Sequence, residues 1–87
     1  MVSQKIVLAL ENGFHARPIS KVISFLEGRP GNYTMAYGGV TANCKSALSL
    51  LMLGVGPNAE VEIMVDSDNE EADLKDFTAF LQALDDH

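Results

Sequence analysis

The residues best suited to chemistry are His15 and Arg17, two positions apart at the start of a predicted helix. N–H groups in a helix's first turn lack partners within the helix, and its dipole is positive there, so an anion is stabilised. A phosphoryl group on a ring nitrogen of His15 would meet those donors, and Arg17 would add charge-assisted hydrogen bonds. The pair therefore predicts a site that captures phosphate covalently.

The same two residues also have a simpler interpretation. A lone histidine before a helix is weak evidence for function, and His15 could be a surface residue that only caps its helix. Arg17 could be a solvated arginine. A cation near a helix N-terminus costs roughly 0.3–1 kcal/mol, however, which favours a role for Arg17 in anion binding. The other histidine, His87, is terminal, and we expect it to be disordered.

A second helix is predicted over residues 47–53, directly after Ser46. The Ser46 hydroxyl is suited to cap this helix, and that structural role by itself explains the serine. The leucines of the helix and Met52 are expected to lie mostly in the core. A short helix cannot bury every side, so Leu48 and Leu51 are expected to form an apolar patch on which a partner docks.

The composition restricts the class of protein. With 87 residues, of which 47% are hydrophobic and 21% charged, the sequence predicts a single globular domain over residues 1–87. The lone Cys44 rules out an internal disulfide and is expected to be a small buried hydrophobe. We expect no metal site and no cofactor. Without a long apolar run we also predict no membrane span or signal peptide, and a cytoplasmic protein.

The net charge of −6 is distributed unevenly along the chain. Residues 1–59 carry five basic and two acidic side chains, a net +3, whereas residues 60–87 carry ten carboxylates and one lysine, a net −9. An acidic chain without a basic stripe is not expected to bind nucleic acid. The positive charge is predicted to lie around His15, with Lys21 and Lys45 as its neighbours.

The elements that must position these residues are predicted from hydrophobic periodicity and turn chemistry in the order β-α-β-β-α-β-α. The strands are predicted over residues 5–10, 33–37, 40–44 and 60–66, and the helices over 16–27, 47–53 and from about 68 onward. Two glycines, at positions 38 and 39, signal a tight hairpin. The predicted fold class is α+β, a four-stranded antiparallel sheet covered on one face by three helices.

The run Asn12-Gly13-Phe14-His15-Ala16-Arg17-Pro18, with Lys45-Ser46 and Leu53-Gly54 at their separation, resembles the histidine-containing phosphocarrier (HPr) family of the bacterial sugar phosphotransferase system. The resemblance covers essentially the whole chain and implies an open-faced β-sandwich. It also implies that Nδ1 of His15 accepts a phosphoryl group from phosphoenolpyruvate through enzyme I. Arg17 would steady the phosphate, and a sugar-specific IIA protein would receive it.

The same resemblance makes Ser46 the family's regulatory serine. An ATP-dependent serine kinase/phosphorylase would modify it, and the product would act with a catabolite-control transcription regulator. The protein is then a monomeric phosphoryl carrier rather than an enzyme. Two alternatives stay open, namely a regulatory relative that acts mainly through Ser46 and a carrier in a nitrogen-related phosphorelay. The residues expected to dock partners are Lys21, Lys45, Ala47, Leu48 and Leu51.

Three of the departures from the family pattern concern the charge around His15. Ser24, Glu27 and Ser49 stand on helix faces that are often basic in the family. Lys21 and Lys45 are then the remaining positive residues around His15, and the departures bear on which partners bind and how tightly.

Overall fold

The computed structural model describes residues 1–85, and the predicted order of elements is confirmed. His87, which was expected to be disordered, lies outside this range. The last two residues of the expected domain over 1–87 also lie outside it. The elements are β1 (Val2–Val7), α1 (Ala16–Leu26), β2 (Asn32–Tyr37), β3 (Val40–Asn43), α2 (Ala47–Leu53), β4 (Glu60–Asp66) and α3 (Glu70–Gln82).

The four strands form one antiparallel sheet in the order β1-β4-β2-β3. Alternate side chains of β4, one of the two inner strands, are buried, namely those of Val61, Ile63 and Val65, so one face of the sheet belongs to the core. Helix α3 packs on β1 and β4, and α2 packs on β3 and α1. The α+β fold with helices over one face, predicted from the sequence, is confirmed.

The first strand differs from its predicted position. Residues 5–10 were expected to form it, but β1 covers Val2–Val7, because its partner β4 begins at Glu60, which pairs with Val7. The N–H of Leu8 still donates to Ala59, at 2.9 Å, and the N–H of Leu10 then bonds to the carbonyl of Leu8. Leu8 and Leu10 are buried by packing beyond the end of the ladder, so their alternation did not mark a strand.

Helices α1 and α2 form over the predicted residues for local reasons. Ile19, Val22 and Leu26 of α1 are buried on one side, at the spacing of an amphipathic helix. Helix α2 buries Leu50 and Leu53 and ends at Gly54, which adopts the left-handed conformation (φ 68°) typical of a helix C-terminus. Among residues 1–85, no helix is long and apolar enough to cross a bilayer.

Candidate functional site

His15 occupies the N-cap position of α1. Its backbone is extended (φ −110°, ψ −169°), and its carbonyl accepts the N–H of Ile19 at 3.0 Å. Within the described chain, the His15 side chain makes no capping hydrogen bond. The residue is half-buried, and its Nε2 atom is buried. The interpretation in which the imidazole caps the helix is therefore not supported. The exposed part of the residue does not include Nε2.

The first turn of α1 is arranged for a negative charge. It lies wholly within residues 1–85 and contains no carboxylate, in contrast to the first turn of α3, which has Glu70, Glu71 and Asp73. The N–H groups in the first turn of a helix have no partner within the helix, and Pro18, in the first turn of α1, has no N–H. The positive end of the α1 dipole is therefore not balanced by an acidic residue of its own turn.

A shallow groove of about 1030 Å³ runs along one side of α1 from His15 towards α3. Lys21 lies at its side, with Nζ 3.3 Å from Oδ1 of Asp85. The rings of Phe25 and Phe80 stack with centroids 4.2 Å apart, and their partly exposed edges belong to the lining. The lining residues are His15, Ala16, Arg17, Ser20, Lys21, Ser24, Phe25 and Phe80. The structure thus brings together His15, Arg17 and Lys21, as the sequence predicted.

Lys45 is not a neighbour of His15. Its Nζ donates to the carbonyls of Arg29 and, at 2.9 Å, of Gly31, and it lies 5.5 Å from the centre of the Tyr33 ring. Arg29 and Gly31 follow the C-terminal end of α1, which is roughly 16 Å long, whereas His15 is at the other end. The expected cluster of Lys21 and Lys45 around His15 therefore does not form, because Lys45 binds carbonyls next to a helix C-terminus, where a cation is favoured.

Ser46 caps α2, as predicted. Its Oγ accepts the N–H of Ser49 at 3.2 Å, and its carbonyl accepts the N–H of Leu50 at 3.1 Å. The opposite end of α2 is the one near His15, because the carbonyl of Val55 accepts the N–H of Phe14. Ser46 is therefore at the end of α2 away from His15, and the seven residues of the helix span roughly 10 Å.

The exposed side of α2 is apolar. Leu48, Leu51 and Met52 are 67%, 47% and 77% exposed, and we call these three residues the α2 patch. Exposure of Leu48 and Leu51 was expected, but the expectation that Met52 belongs to the core is wrong. The helical spacing i, i+3, i+4 from Leu48 indicates that Met52 shares the exposed side, and this signal was available in the sequence. The neighbouring Ala47 is also exposed.

Cys44 has no place in the site. It is fully buried directly after β3, and its N–H donates to the carbonyl of Tyr33 at 2.9 Å. Burial raises the pKa of the thiol from 9.0 to about 12, so the thiolate is disfavoured at neutral pH. The prediction of a small buried hydrophobe is confirmed. Within residues 1–85 there is no group of three or more histidine, cysteine, aspartate or glutamate side chains able to hold a metal ion.

The sequence is similar to a known family. The family model described as the PTS HPr component phosphorylation site matches residues 2–83. The phosphocarrier protein HPr of Chlamydia trachomatis serovar D is 37% identical over 54 residues, which are 62% of this chain and 50% of that protein. That of Chlamydia muridarum is 33% identical over 54 residues, 62% of this chain and 52% of that protein. The matched segment thus spans about half the length of these curated relatives.

Solved structures share the fold. The HPr structure from Thermoanaerobacter tengcongensis aligns with a TM-score of 0.86 and 22% identity, over 95% of this chain and 93% of that one. The HPr structure from Bacillus anthracis aligns with a TM-score of 0.82 and 23% identity, over 91% and 94%. The Bacillus subtilis protein Crh is 27% identical, with a TM-score of 0.73 over 94% of each chain.

Proposed function

The chain belongs to the HPr family of the phosphotransferase system, and from this premise we propose that it accepts a phosphoryl group from enzyme I on Nδ1 of His15 and passes it to a sugar-specific IIA protein. In this role it is a carrier and not an enzyme, since the phosphoryl group leaves on another protein. The observation that carries the proposal is the place of His15, at the N-cap of a helix whose first turn, within residues 1–85, lacks a carboxylate.

The transfer step needs one nucleophilic nitrogen and a place for the charge that arrives. The lone pair of Nδ1 attacks phosphorus, the P–N bond forms, and the bond from phosphorus to its donor atom on enzyme I breaks. Burial of Nε2 supports Nδ1 as the acceptor. The oxygens of the phosphoryl group would then meet the N-terminal turn of α1 and the positive end of its dipole.

Arg17 supports the same proposal as a contact to the phosphoryl group. Its side chain is exposed and lines the groove that begins at His15. Its guanidinium would add charge-assisted hydrogen bonds, which are stronger than neutral ones. In the onward transfer the P–N bond breaks and the IIA protein takes the phosphoryl group. The contacts on this chain must therefore hold the phosphoryl group without burying it, and a shallow groove allows this.

The docking surface we propose combines the groove side of α1 with the α2 patch. Lys21 on α1 supplies positive charge, and exposed Ala47, Leu48 and Leu51 supply apolar area on α2. Lys45 would contribute at the Ser46 end of this surface rather than beside His15. A carrier exchanges partners often, so weak docking with electrostatic steering fits its task.

We propose regulation at Ser46 as a second role, in which a serine kinase adds a phosphate and a catabolite-control regulator binds the product. The half-buried Ser46 begins the helix that displays the α2 patch, so a phosphate there would lie at the edge of the docking surface. A protein that acted mainly through Ser46 would not need His15 as a nucleophile. The presence of His15 therefore favours phosphoryl transfer as the main role.

Transfer to defined partners tests the proposal. The protein is incubated with phosphoenolpyruvate and enzyme I, and then with a purified sugar-specific IIA protein or with the IIA protein of a nitrogen-related phosphorelay. Phosphate that leaves His15 for the sugar-specific protein supports sugar transport as the pathway. Transfer to the nitrogen-related protein alone would assign the chain to that phosphorelay, with the same chemistry. We further propose that residues 1–87 act as one carrier domain.

A further inference from the structure

The segment before His15 is fastened to the loop after α2, residues 54–59, which we call loop 54–59. Three backbone hydrogen bonds join the two segments, and each segment supplies at least one of the N–H donors. The bonds are Leu8 N–H to Ala59 O at 2.9 Å, Asn58 N–H to Leu10 O at 3.2 Å and Phe14 N–H to Val55 O at 3.1 Å. The residue directly before His15 is therefore tied to another part of the chain.

Gly13 makes this attachment close. Its φ of +77° belongs to the left-handed region that favours glycine, and its N–H donates to Leu10 at 3.0 Å. A Cβ at this position would lie 2.9 Å from the carbonyl oxygen of Val55, so a side chain would push loop 54–59 away. The contact that a side chain at Gly13 would disturb involves the same carbonyl that accepts the N–H of Phe14.

Phe14 connects His15 to loop 54–59. Its ring is buried in the core, and its backbone N–H is held by Val55. On the other side of His15, the carbonyl of that residue is held by the first hydrogen bond of α1, from Ile19. The backbone of His15 is thus held on both sides, by loop 54–59 and by the helix.

We infer that Gly13 and loop 54–59, through the Val55 carbonyl, are a positioning device for the phosphoryl acceptor. Neither Gly13 nor Val55 lines the groove, so their role is to set how the His15 ring enters it. This inference rests on the proposed function of His15. Nucleophilic transfer depends on the orientation of the attacking atom, so the close approach of Gly13 to Val55 would affect the rate of transfer as well as the packing.

The inference distinguishes the transfer step from docking. Gly13 and Val55 belong neither to the α2 patch nor to the lining of the groove, which includes Lys21. A displaced acceptor should therefore lower the kcat with which enzyme I phosphorylates this protein, while the KM of enzyme I for this protein stays nearly constant. Misplacement by about 1 Å can cost roughly 100-fold in rate, so we expect a loss in kcat of about tenfold or more.

The test compares Gly13→Ala with Gly28→Ala. Gly28 has nearly the same backbone conformation (φ +79°), but among the described residues, apart from Gly28 and its two chain neighbours, no atom lies within 4 Å of a Cβ placed there. Both variants should lower Tm, because alanine is strained in this region. Only Gly13→Ala should lower kcat for transfer from phosphorylated enzyme I. Only Gly13→Ala should move the ring resonances of His15 in NMR spectra of the unphosphorylated protein, a readout that requires no partner.

A second pair covers the case in which Gly13→Ala does not fold. Val55 and Val65 are both buried, but Val65 is in the sheet and Val55 is in loop 54–59. Val55→Ala removes the buried side chain that anchors loop 54–59, so it should move the Val55 carbonyl, lower kcat and shift the ring resonances, whereas Val65→Ala should only lower Tm. The inference is overturned if the loop variant transfers with the kcat of its control while the wild type is labelled on His15. If the wild type is not labelled there, the proposed function fails, and unchanged ring resonances would separately overturn the positioning role.

Discussion

The backbone N–H of Phe14 donates to the carbonyl of Val55 at 3.1 Å, which sets the start of α1 against the end of α2. Ser46 lies at the other end of this seven-residue helix, whose length of roughly 10 Å separates it from this end. This separation is close to the Debye length at physiological salt, roughly 8 Å, so a charge on Ser46 acts weakly on His15 itself. Its main effect should be on a partner that docks over α2.

The substitution Ser46→Asp should leave the fold intact and slow phosphorylation of His15 by enzyme I. Aspartate is also a good N-cap, and a negative charge is tolerated at a helix N-terminus, so the free energy of unfolding should change by less than about 0.5 kcal/mol. The added charge at the edge of the α2 patch should raise the KM of enzyme I for this protein, because docking becomes weaker. Urea unfolding and transfer kinetics measure the two effects.

Ser3→Asp is the matched control for Ser46→Asp, because it adds the same charge on β1, at an exposed position remote from α2. It should leave KM unchanged. Transfer to Ser46→Asp at the wild-type rate over a range of salt concentrations would reject the switch and leave Ser46 as a helix cap.

Arg17→Ala should slow transfer far more than it destabilises the protein. Loss of a charge-assisted contact to the phosphoryl group should cost about 1.5–3 kcal/mol in the transfer step. An exposed arginine in the first turn adds little to stability. Lys75→Ala removes an exposed positive charge from α3 and serves as the control. If both variants transfer equally well, Arg17 has no role in holding phosphate.

The α2 patch should contribute to docking and not to folding. Met52→Ser removes the most exposed apolar side chain of the patch, and stability should change by no more than about 0.5 kcal/mol. Binding of enzyme I should weaken by roughly 1–2 kcal/mol, a five- to thirtyfold rise in KM. Val40→Ser, at an exposed apolar position of the hairpin, should leave KM unchanged. Equal KM values for the two variants would remove Met52 from the docking surface.

Burial of Cys44 should make stability depend on alkaline pH. Burial raises its pKa from the ordinary value of 9.0 to about 12 in the folded protein, so above pH 9 the unfolded state loses a proton that the folded state keeps. Stability should therefore fall as pH rises from 9 towards 12, by up to about 1.4 kcal/mol per pH unit from this group. Urea midpoints of the wild type should fall more steeply over this range than those of Cys44→Ala, and parallel curves would contradict the assignment.

Local features of the sequence predicted α1, α2, the hairpin and the Ser46 cap, because each depends on residues a few positions apart. The end of β1 at Val7 depends on where β4 begins, more than fifty residues later, and no local pattern reports it. The position of Lys45 at the far end of α1 and the bond between Phe14 and Val55 are also non-local. The exposure of Met52 was predictable from helical spacing.

The central claim is that His15 is the phosphoryl acceptor, and the chain's two histidines allow a direct test. The wild type, His15→Ala and His87→Ala are each incubated with phosphoenolpyruvate and enzyme I, and the bound phosphate is located by mass spectrometry. A phosphorylated imidazole is a phosphoramidate, so the label should be acid-labile and base-stable. The account predicts one such phosphate on the wild type and on His87→Ala, and none on His15→Ala. Acid-labile phosphate that persists on His15→Ala would contradict it.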